Sequence, residues 1–215
     1  MLRRGAPRLR TASTGPKPSA VPRLSRPPSL VLASASPRRQ ELLAQLGIAF
    51  TVLPSHIPEE HPAAPPTEAI AAVALAKARA VALRLSPDAR AVVLGADTEV
   101  VLDGRLLGKP RDAADAARIL RELRGRIHEV ITGVALVARG REEATAVTTR
   151  VTMRDYGDAE IEAYVATGEP LDKAGAYGVQ GLGAHLVAQV DGCLTNVVGL
   201  PISTTRQLLE RWGVL

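Results

Sequence analysis

Three stretches of the 215-residue chain gather side chains able to do chemistry. The first is "LASASPRRQELL", residues 32–43. Ser36-Pro37 has the character of a helix start, Ser at N-cap and Pro at N1. Arg38 and Arg39 then fall at N2 and N3, where free backbone N–H groups and the helix dipole already favour an anion. Two adjacent guanidiniums repel each other unless water or an anion neutralises them. A phosphate suits them, because Arg binds it through paired hydrogen bonds. Ser34 and Ser36 add hydroxyl donors. The plain alternative is a helix start with two solvated arginines.

The second stretch is "GADTEVVLDGRLLGKPRD", residues 95–112. Asp97 follows the apolar run "AVVLGA" and is expected to emerge at the end of a buried strand, a common place for working carboxylates in α/β folds. It can bind a divalent metal or activate water. Lys109, across an expected hairpin, can reach a phosphate. Otherwise Asp97 caps a turn and Lys109 is a solvated loop cation. The third stretch, "EPLDKAGAYGVQGLGA" at 169–184, sets Asp172, Lys173, Tyr177 and Gln180 among glycines that let backbone approach a ligand closely. Gln180 carries a donor and an acceptor and can address a base edge. Lys77 either snorkels to the surface or points its charge into a pocket. Glu59 and Glu60 have the pattern of solvated loop acids, His128 that of a structural histidine and Cys193 that of a bystander.

The elements that must position these groups follow from periodicity. "SLVLAS" and "IAFTVL" have the character of strands flanking the Ser36-Pro37 helix. Thr67 is expected to cap a long Ala-rich helix running to about Leu85. Asp103-Gly104 marks a tight hairpin turn between "TEVVL" and "RLLG". Asp112 caps a helix to about Leu123. "HEVITGVALVAR" and "EATAVTTRVTM" form a long hairpin around Gly140. A short helix covers about 158–166, strand "AHLVAQV" follows the Gly-rich stretch, and Pro201 opens a final helix to about Trp212. Alternating strands and helices early, with hairpins later, predict a mixed α/β fold.

Composition narrows the function classes. Aromatics make up 2% of the chain, so Leu, Val, Ala and Ile must build the core. No apolar run approaches the length of a membrane span. One cysteine excludes an internal disulfide, no Cys/His cluster has zinc-type spacing, and a reducing, cytoplasmic setting fits. The net charge of +5 misleads. Residues 1–28 hold six Arg and one Lys with no acid; without these seven, 20 basic residues face 22 acidic ones, a net charge of −2. The body thus lacks a general basic surface for nucleic acid. Residues 1–28 are expected to be a disordered basic extension. Three readings fit it: an organelle transit peptide, a solvated extension without a role, or a start codon placed too far upstream. Its prolines count against the amphipathic helix of a mitochondrial signal.

Five motifs, "LASASPRRQELLAQLGI", "LGADTEVVLDGRLLGKPRDAADA", "HEVITGVAL", "GEPLDKAGAYGVQGLGA" and "NVVGLPI", occur in an order that resembles the Maf family of nucleoside triphosphate pyrophosphatases. The likeness runs from about residue 30 to the C-terminus, so that 29–215 stands as one Maf-like domain. It implies hydrolysis of a nucleoside triphosphate to the monophosphate and pyrophosphate with a divalent cation, Mg or Mn. It also implies a two-lobed α/β fold around an elongated mixed sheet with flanking helices and a central cleft, and a homodimer. By the resemblance, Asp97 is the proton acceptor, and Ser34, Arg38, Arg39, Lys77 and Lys109 face phosphate. Arg38, Thr98 and Gln180 match the positions that separate substrate branches, and here they resemble the dTTP/UTP branch rather than the 7-methyl-GTP branch. The chain departs from the family at "SHIPEE", where His56 and Pro58 stand in an otherwise acidic stretch; this leaves Glu59, with Asp97, as the metal-facing carboxylates. "DGCLTNVVGLP" has Cys-Leu-Thr where an aromatic is common. Two rival readings are a non-enzymatic nucleotide-binding regulator of cell division and nucleic-acid binding through residues 1–28.

Overall fold

The computed structural model describes residues 28–86 and 89–215. The expected basic extension lies, but for its last residue, outside the described residues. Strand β1 (Ser29–Leu32) starts the sheet and helix α1 (Pro37–Ala44) follows it, with Ser36 extended at the N-cap and Pro37 at N1. Next come β2 (Phe50–Val52), α2 (Pro66–Ala82), β3 (Ala91–Leu102), β4 (Arg105–Leu106), α3 (Ala113–Leu123), β5 (Ile127–Ala138) and β6 (Arg141–Met153). Helix α4 (Asp158–Ala166), three short 3-10 turns between Glu169 and Leu186, β7 (Val187–Asp191), α5 (Leu194–Val198) and α6 (Ile202–Arg211) complete the chain.

The strands form one mixed sheet in the order β2-β1-β3-β5-β6-β7, with β4 beside β3. β1 runs parallel to β2 and β3, and every later pairing is antiparallel. Alternation of strand and helix made the parallel part, as the sequence pattern predicts; among the antiparallel pairs β3–β4 and β5–β6 are hairpins, whereas β3–β5 and β6–β7 join strands with helical segments between them. β1 pairs with β3 only as far as Leu94, and β4 begins opposite Val101. Between them, the 95–99 edge of β3 has no strand beside it, and the sheet opens there.

Period-two alternation then gives the two faces of β3 different tasks. On one face, Val92, Leu94 and Ala96 pack with Leu42 and Leu43 of α1 and Leu208 and Leu209 of α6. Farther along the same face, Val100 and Leu102 join Ile119, Leu120 and Leu123 of α3 and Ile161 and Tyr164 of α4. Thr98 stands between these cores, so one continuous strand serves two lobes and the cleft falls where they part. On the opposite face α2 covers the strand, packing Ala74, Ala78 and Val81 against Val31, Val93 and Ala135.

That cover is unusually close. A Cβ at Gly95 would stand 2.2 Å from the Ala74 carbonyl oxygen, and one at Gly133 would stand 2.6 Å from that of Ile70. Only glycine admits a helix backbone this near a strand.

The structure corrects several expectations. "AVVLGA" and "TEVVL" are one twelve-residue strand, so Asp97 lies inside β3 rather than at its end. Backbone pairing with β5 continues through Asp97↔Gly133 to Val101↔Glu129 and carries the strand past the aspartate. Thr67 is not the cap of α2; the helix starts on Pro66, whose missing N–H costs nothing at that position. The final strand begins at Val187 because residues 181–186 form a 3-10 turn. Helix α5, only five residues long, escapes the periodicity argument. The Asp103-Gly104 turn takes positive φ at both residues, as expected for that hairpin. Asp112 caps α3 by accepting the Asp115 N–H.

Gly95→Ala is expected to lower the unfolding free energy by roughly 2–3 kcal/mol through overpacking against α2. The check is a lower denaturant midpoint at unchanged m-value.

Candidate active site

The cleft encloses about 440 Å³ and is lined by three chain segments that the fold brings together. Residues 33–39 leave β1 and enter α1, residues 54–59 follow β2, and residues 172–180 belong to the turn-rich stretch; Thr98, Lys109 and Gly199 complete the wall. Ser34, Arg38, Arg39, Lys77, Thr98, Lys109, Gln180 and Glu59 thus share one cavity, although they span more than 140 positions of sequence.

Arg39 is built in rather than solvated. Its Nε donates to the Gly199 carbonyl at 2.9 Å, Nη1 to Ser34 Oγ at 3.2 Å and Nη2 to Thr98 Oγ1 at 3.0 Å. Burial pushes its pKa down, while Asp97 and Glu59 oppose the shift; the guanidinium remains a cation. One N–H on each terminal nitrogen is left for a ligand. Ser34 Oγ accepts both from Arg39 and from the Ser36 N–H, at 3.3 Å, so its own proton is free to point into the cleft. Arg38 instead spans the mouth, 3.2 Å from Asp172. Both partners are partly or largely in water, so the contact is weak and an anionic ligand can displace it.

Around the open edge of β3 lies a charge cluster whose inner members, Lys77, Asp97 and Glu99, are buried. Lys77, a buried residue of α2, donates from Nζ to Asp97 Oδ1 at 2.7 Å and to Glu59 Oε1 at 2.7 Å. His61 Nε2 lies 2.9 Å from the other Asp97 oxygen and 3.9 Å from Glu99 Oε1. Lys109 stands 3.4 Å from Glu59. Burial opposes ionisation of Glu59, but the hydrogen bond and charge of Lys77, with Lys109 behind, hold it at about 2. Glu99 is the reverse case: burial and the Asp97 charge push it up to about 7. Its Oε2 is buried without a hydrogen-bond partner.

This arrangement bears on the metal. Glu59 is occupied by two lysines. Among the described residues, the side chains whose ligand atoms converge, all within 4.8 Å of one another, are His61, Asp97 and Glu99. A carboxylate oxygen without water or a donor needs a proton or a cation. Two carboxylates supply the oxygen ligands a hard divalent ion takes, and the imidazole adds a nitrogen ligand more typical of transition-metal ions. The residues present therefore fit the cation. His61 and Glu99 escaped the sequence reading. The signal for Glu99 was its i+2 relation to Asp97, which puts both on one face of a strand. For His61 no local signal exists, because a proline-rich loop has no period.

The remaining candidates sort themselves. Gln180 is exposed on the cleft wall. The Gly-rich segment that carries it is held by Glu169, whose carboxylate accepts the Leu182 and Gly183 N–H groups and the Tyr164 hydroxyl, a role unnoticed in sequence. Lys173 bonds the Glu169 carbonyl and Asp172 within the same segment. His128 is structural, as expected: its Nε2 lies 2.7 Å from the Tyr177 hydroxyl, and burial lowers its pKa to about 4. Cys193 caps α5 and contacts Thr149 and Thr195.

Comparison with known proteins adds three findings. The family model described as Maf-like protein matches residues 29–212. The chain is 58% identical over 188 residues to the dTTP/UTP pyrophosphatase of Moorella thermoacetica, covering 86% of this chain and 95% of the relative. It is 53% identical over 191 residues to the dTTP/UTP pyrophosphatase of Anaeromyxobacter dehalogenans, with the same coverage. Among solved structures, the Ham1 protein of Staphylococcus aureus aligns with a TM-score of 0.52 at 15% identity, covering 85% of this chain and 98% of that one, a likeness of fold. Among the described residues no helix is long and apolar enough to cross a membrane.

The raised pKa of Glu99 sets a pH dependence. Between its ordinary value of 4.5 and about 7 the folded chain holds a proton that the unfolded chain releases. Stability from this group is therefore full below 4.5 and declines as pH rises toward 7. Without divalent ions, Glu99→Gln should unfold at higher denaturant than wild type at pH 8, by about 3 kcal/mol, and by far less at pH 5. Chemical denaturation at the two pH values checks it.

Proposed function

The chain belongs to the Maf family, and from that premise we propose that it is a nucleoside triphosphate pyrophosphatase that hydrolyses dTTP and UTP to the monophosphate and pyrophosphate. The observation that carries this reading is the joining of Lys77, which lines the cleft, to the buried Asp97 behind it, with Arg38, Arg39, Lys109 and an uncommitted Ser34 proton on the cleft walls. A pure nucleotide binder has use for the cations but none for a buried carboxylate cluster beside them.

In the reaction, water attacks the α-phosphorus, the bridging bond to the β-phosphate breaks, and pyrophosphate leaves with the charge. Arg38, Arg39 and the start of α1 hold the phosphates, and Ser34 donates its proton to a phosphate oxygen. Lys77 and Lys109 offset the charge that grows on the leaving group. Asp97 orients the attacking water and accepts its proton. A bound divalent ion, held by Asp97 and Glu99 with His61, would polarise the phosphate and lower the pKa of water there. Glu59, the other metal-facing carboxylate of the family reading, also holds Lys77 and stands 3.4 Å from Lys109.

Base choice rests on Thr98 and Gln180, which both line the cleft. An amide can face the O and N–H edge of uracil or thymine with one acceptor and one donor. The family reading extends to a homodimer working in the cytoplasm.

Pyrophosphate release with Mg or Mn should be selective for dTTP and UTP over CTP, ATP, GTP and 7-methyl-GTP. Preference for 7-methyl-GTP would move the chain to the other branch, and no hydrolysis by folded protein would favour the non-enzymatic reading. Asp97→Asn should cost 100- to 10,000-fold in turnover, on the order expected for a lost general base; a near wild-type rate would remove Asp97 from that role. In direct competition between dTTP and CTP, Gln180→Leu should lose base preference more than it loses turnover.

A further inference from the structure

A chain of hydroxyls under the cleft has a fixed direction. Thr132 of β5 is fully buried and sits directly opposite Thr98 of β3 in the sheet. Its hydroxyl lies 2.9 Å from the Asn196 main-chain carbonyl of α5. A carbonyl only accepts, so the single Thr132 proton is spent there. The Thr98 hydroxyl stands 3.0 Å from Thr132 Oγ1, whose remaining capacity is to accept. Thr98 therefore donates downward, with the Gly199 carbonyl at 3.4 Å a longer alternative for the same proton. From the side, Arg39 Nη2 donates to Thr98 Oγ1 at 3.0 Å. With its proton committed and one lone pair taken, Thr98 has one lone pair left for the cleft it lines.

We infer that Thr132 is a specificity-positioning residue: by accepting the Thr98 proton it makes Thr98 an obligate acceptor toward the bound base. Such a group favours a base edge that presents N–H, as uracil and thymine do at N3, and disfavours one that presents a bare ring nitrogen, as cytosine does there. Thr132 touches no ligand; it acts through Thr98. The Asn196 end of the chain is itself pinned, since its side-chain amide donates to the Val130 carbonyl at 2.9 Å and to Thr149 at 3.0 Å. The inference rests on the proposed pyrimidine reading for its ligand, but the polarity of the hydroxyls does not.

The test is binding rather than turnover. Dissociation constants of the α,β-methylene analogues of UTP and CTP are measured by calorimetry with the full chain and Mg, for wild type, Thr132→Val and Thr132→Ser. Wild type should prefer the uridine analogue. Thr132→Val leaves the Thr98 proton only the longer contact to the Gly199 carbonyl, which lets the hydroxyl turn and should reduce that preference about tenfold, chiefly by tighter cytidine binding. Thr132→Ser keeps the relay and should keep the preference. An unchanged ratio in Thr132→Val, equal weakening of both analogues, or no uridine preference in wild type would each overturn the inference. Should the valine variant not fold, Thr132→Ala removes the same hydroxyl without placing a methyl against the Asn196 carbonyl, and carries the same expectation. Retained selectivity in wild type together with absent hydrolysis of UTP would instead sink the pyrophosphatase reading and leave the relay standing.

Discussion

Burying a carboxylate requires something to answer its charge, and the site is organised around that requirement at Asp97. The residue is 2% exposed, inside a strand, with Glu99 two positions on pointing the same way. Two such groups in low dielectric destabilise each other and the fold unless cations or protons reach them. Lys77 reaches Asp97 because α2 lies almost on the backbone of β3, and α2 can lie there because Gly95 and Gly133 have no side chains. The small residues of the Ala-rich helix serve the same approach. Packing and electrostatics are here one constraint: a thicker helix–sheet contact would withdraw the ammonium group from the acid.

The other face of the same strand carries a different solution. Thr98 sits between two hydrophobic cores, and polar groups rather than apolar ones fill the gap. Arg39, Ser34, Thr98 and Thr132 satisfy one another and end on the carbonyls of Gly199 and Asn196. A network with nearly every buried group paired is rigid, because an unpaired member in a dry site is costly. Rigidity leaves defined vacancies toward the cleft: a proton on Ser34, two N–H groups on Arg39, a lone pair on Thr98. The recognition surface is thus what the internal bonding leaves over.

The opening of the sheet joins these two faces. β1 pairs with β3 only up to Leu94 and β4 pairs with it only from Val101, so the chain after β2 can bring Glu59 and His61 to the bare edge of β3. Glu59 then holds Lys77 from outside while Asp97 holds it from inside. The Gly-rich stretch closes the opposite wall, tied to the β4 hairpin by the Gly175 N–H on the Gly108 carbonyl and to α4 by Glu169.

Local pattern alone was enough for the α1 start at Ser36-Pro37, the Asp103-Gly104 turn, the Asp112 cap, α4 and the β5–β6 hairpin, because neighbours within a few positions decide each of them. The same locality made Arg38 and Arg39 stand out as a candidate pair for an anion, and the ordered motifs made the family visible. What pattern could not decide was where these pieces meet. Asp97 fell in mid-strand because β5 pairs beyond it, as far as Val101↔Glu129, with partners distant in sequence. His61 escaped notice because a loop without periodicity gives no orientation. Arg39 proved to be an internal strut and Thr132 a relay because their partners, Gly199 and Asn196, are distant in sequence and adjacent only after folding. Residue types and short spacing determined which chemistry the chain could support; long-range pairing in three dimensions decided which atom faces which, since the direction of a hydrogen bond or the charge state of a buried acid depends on neighbours that only the tertiary structure supplies.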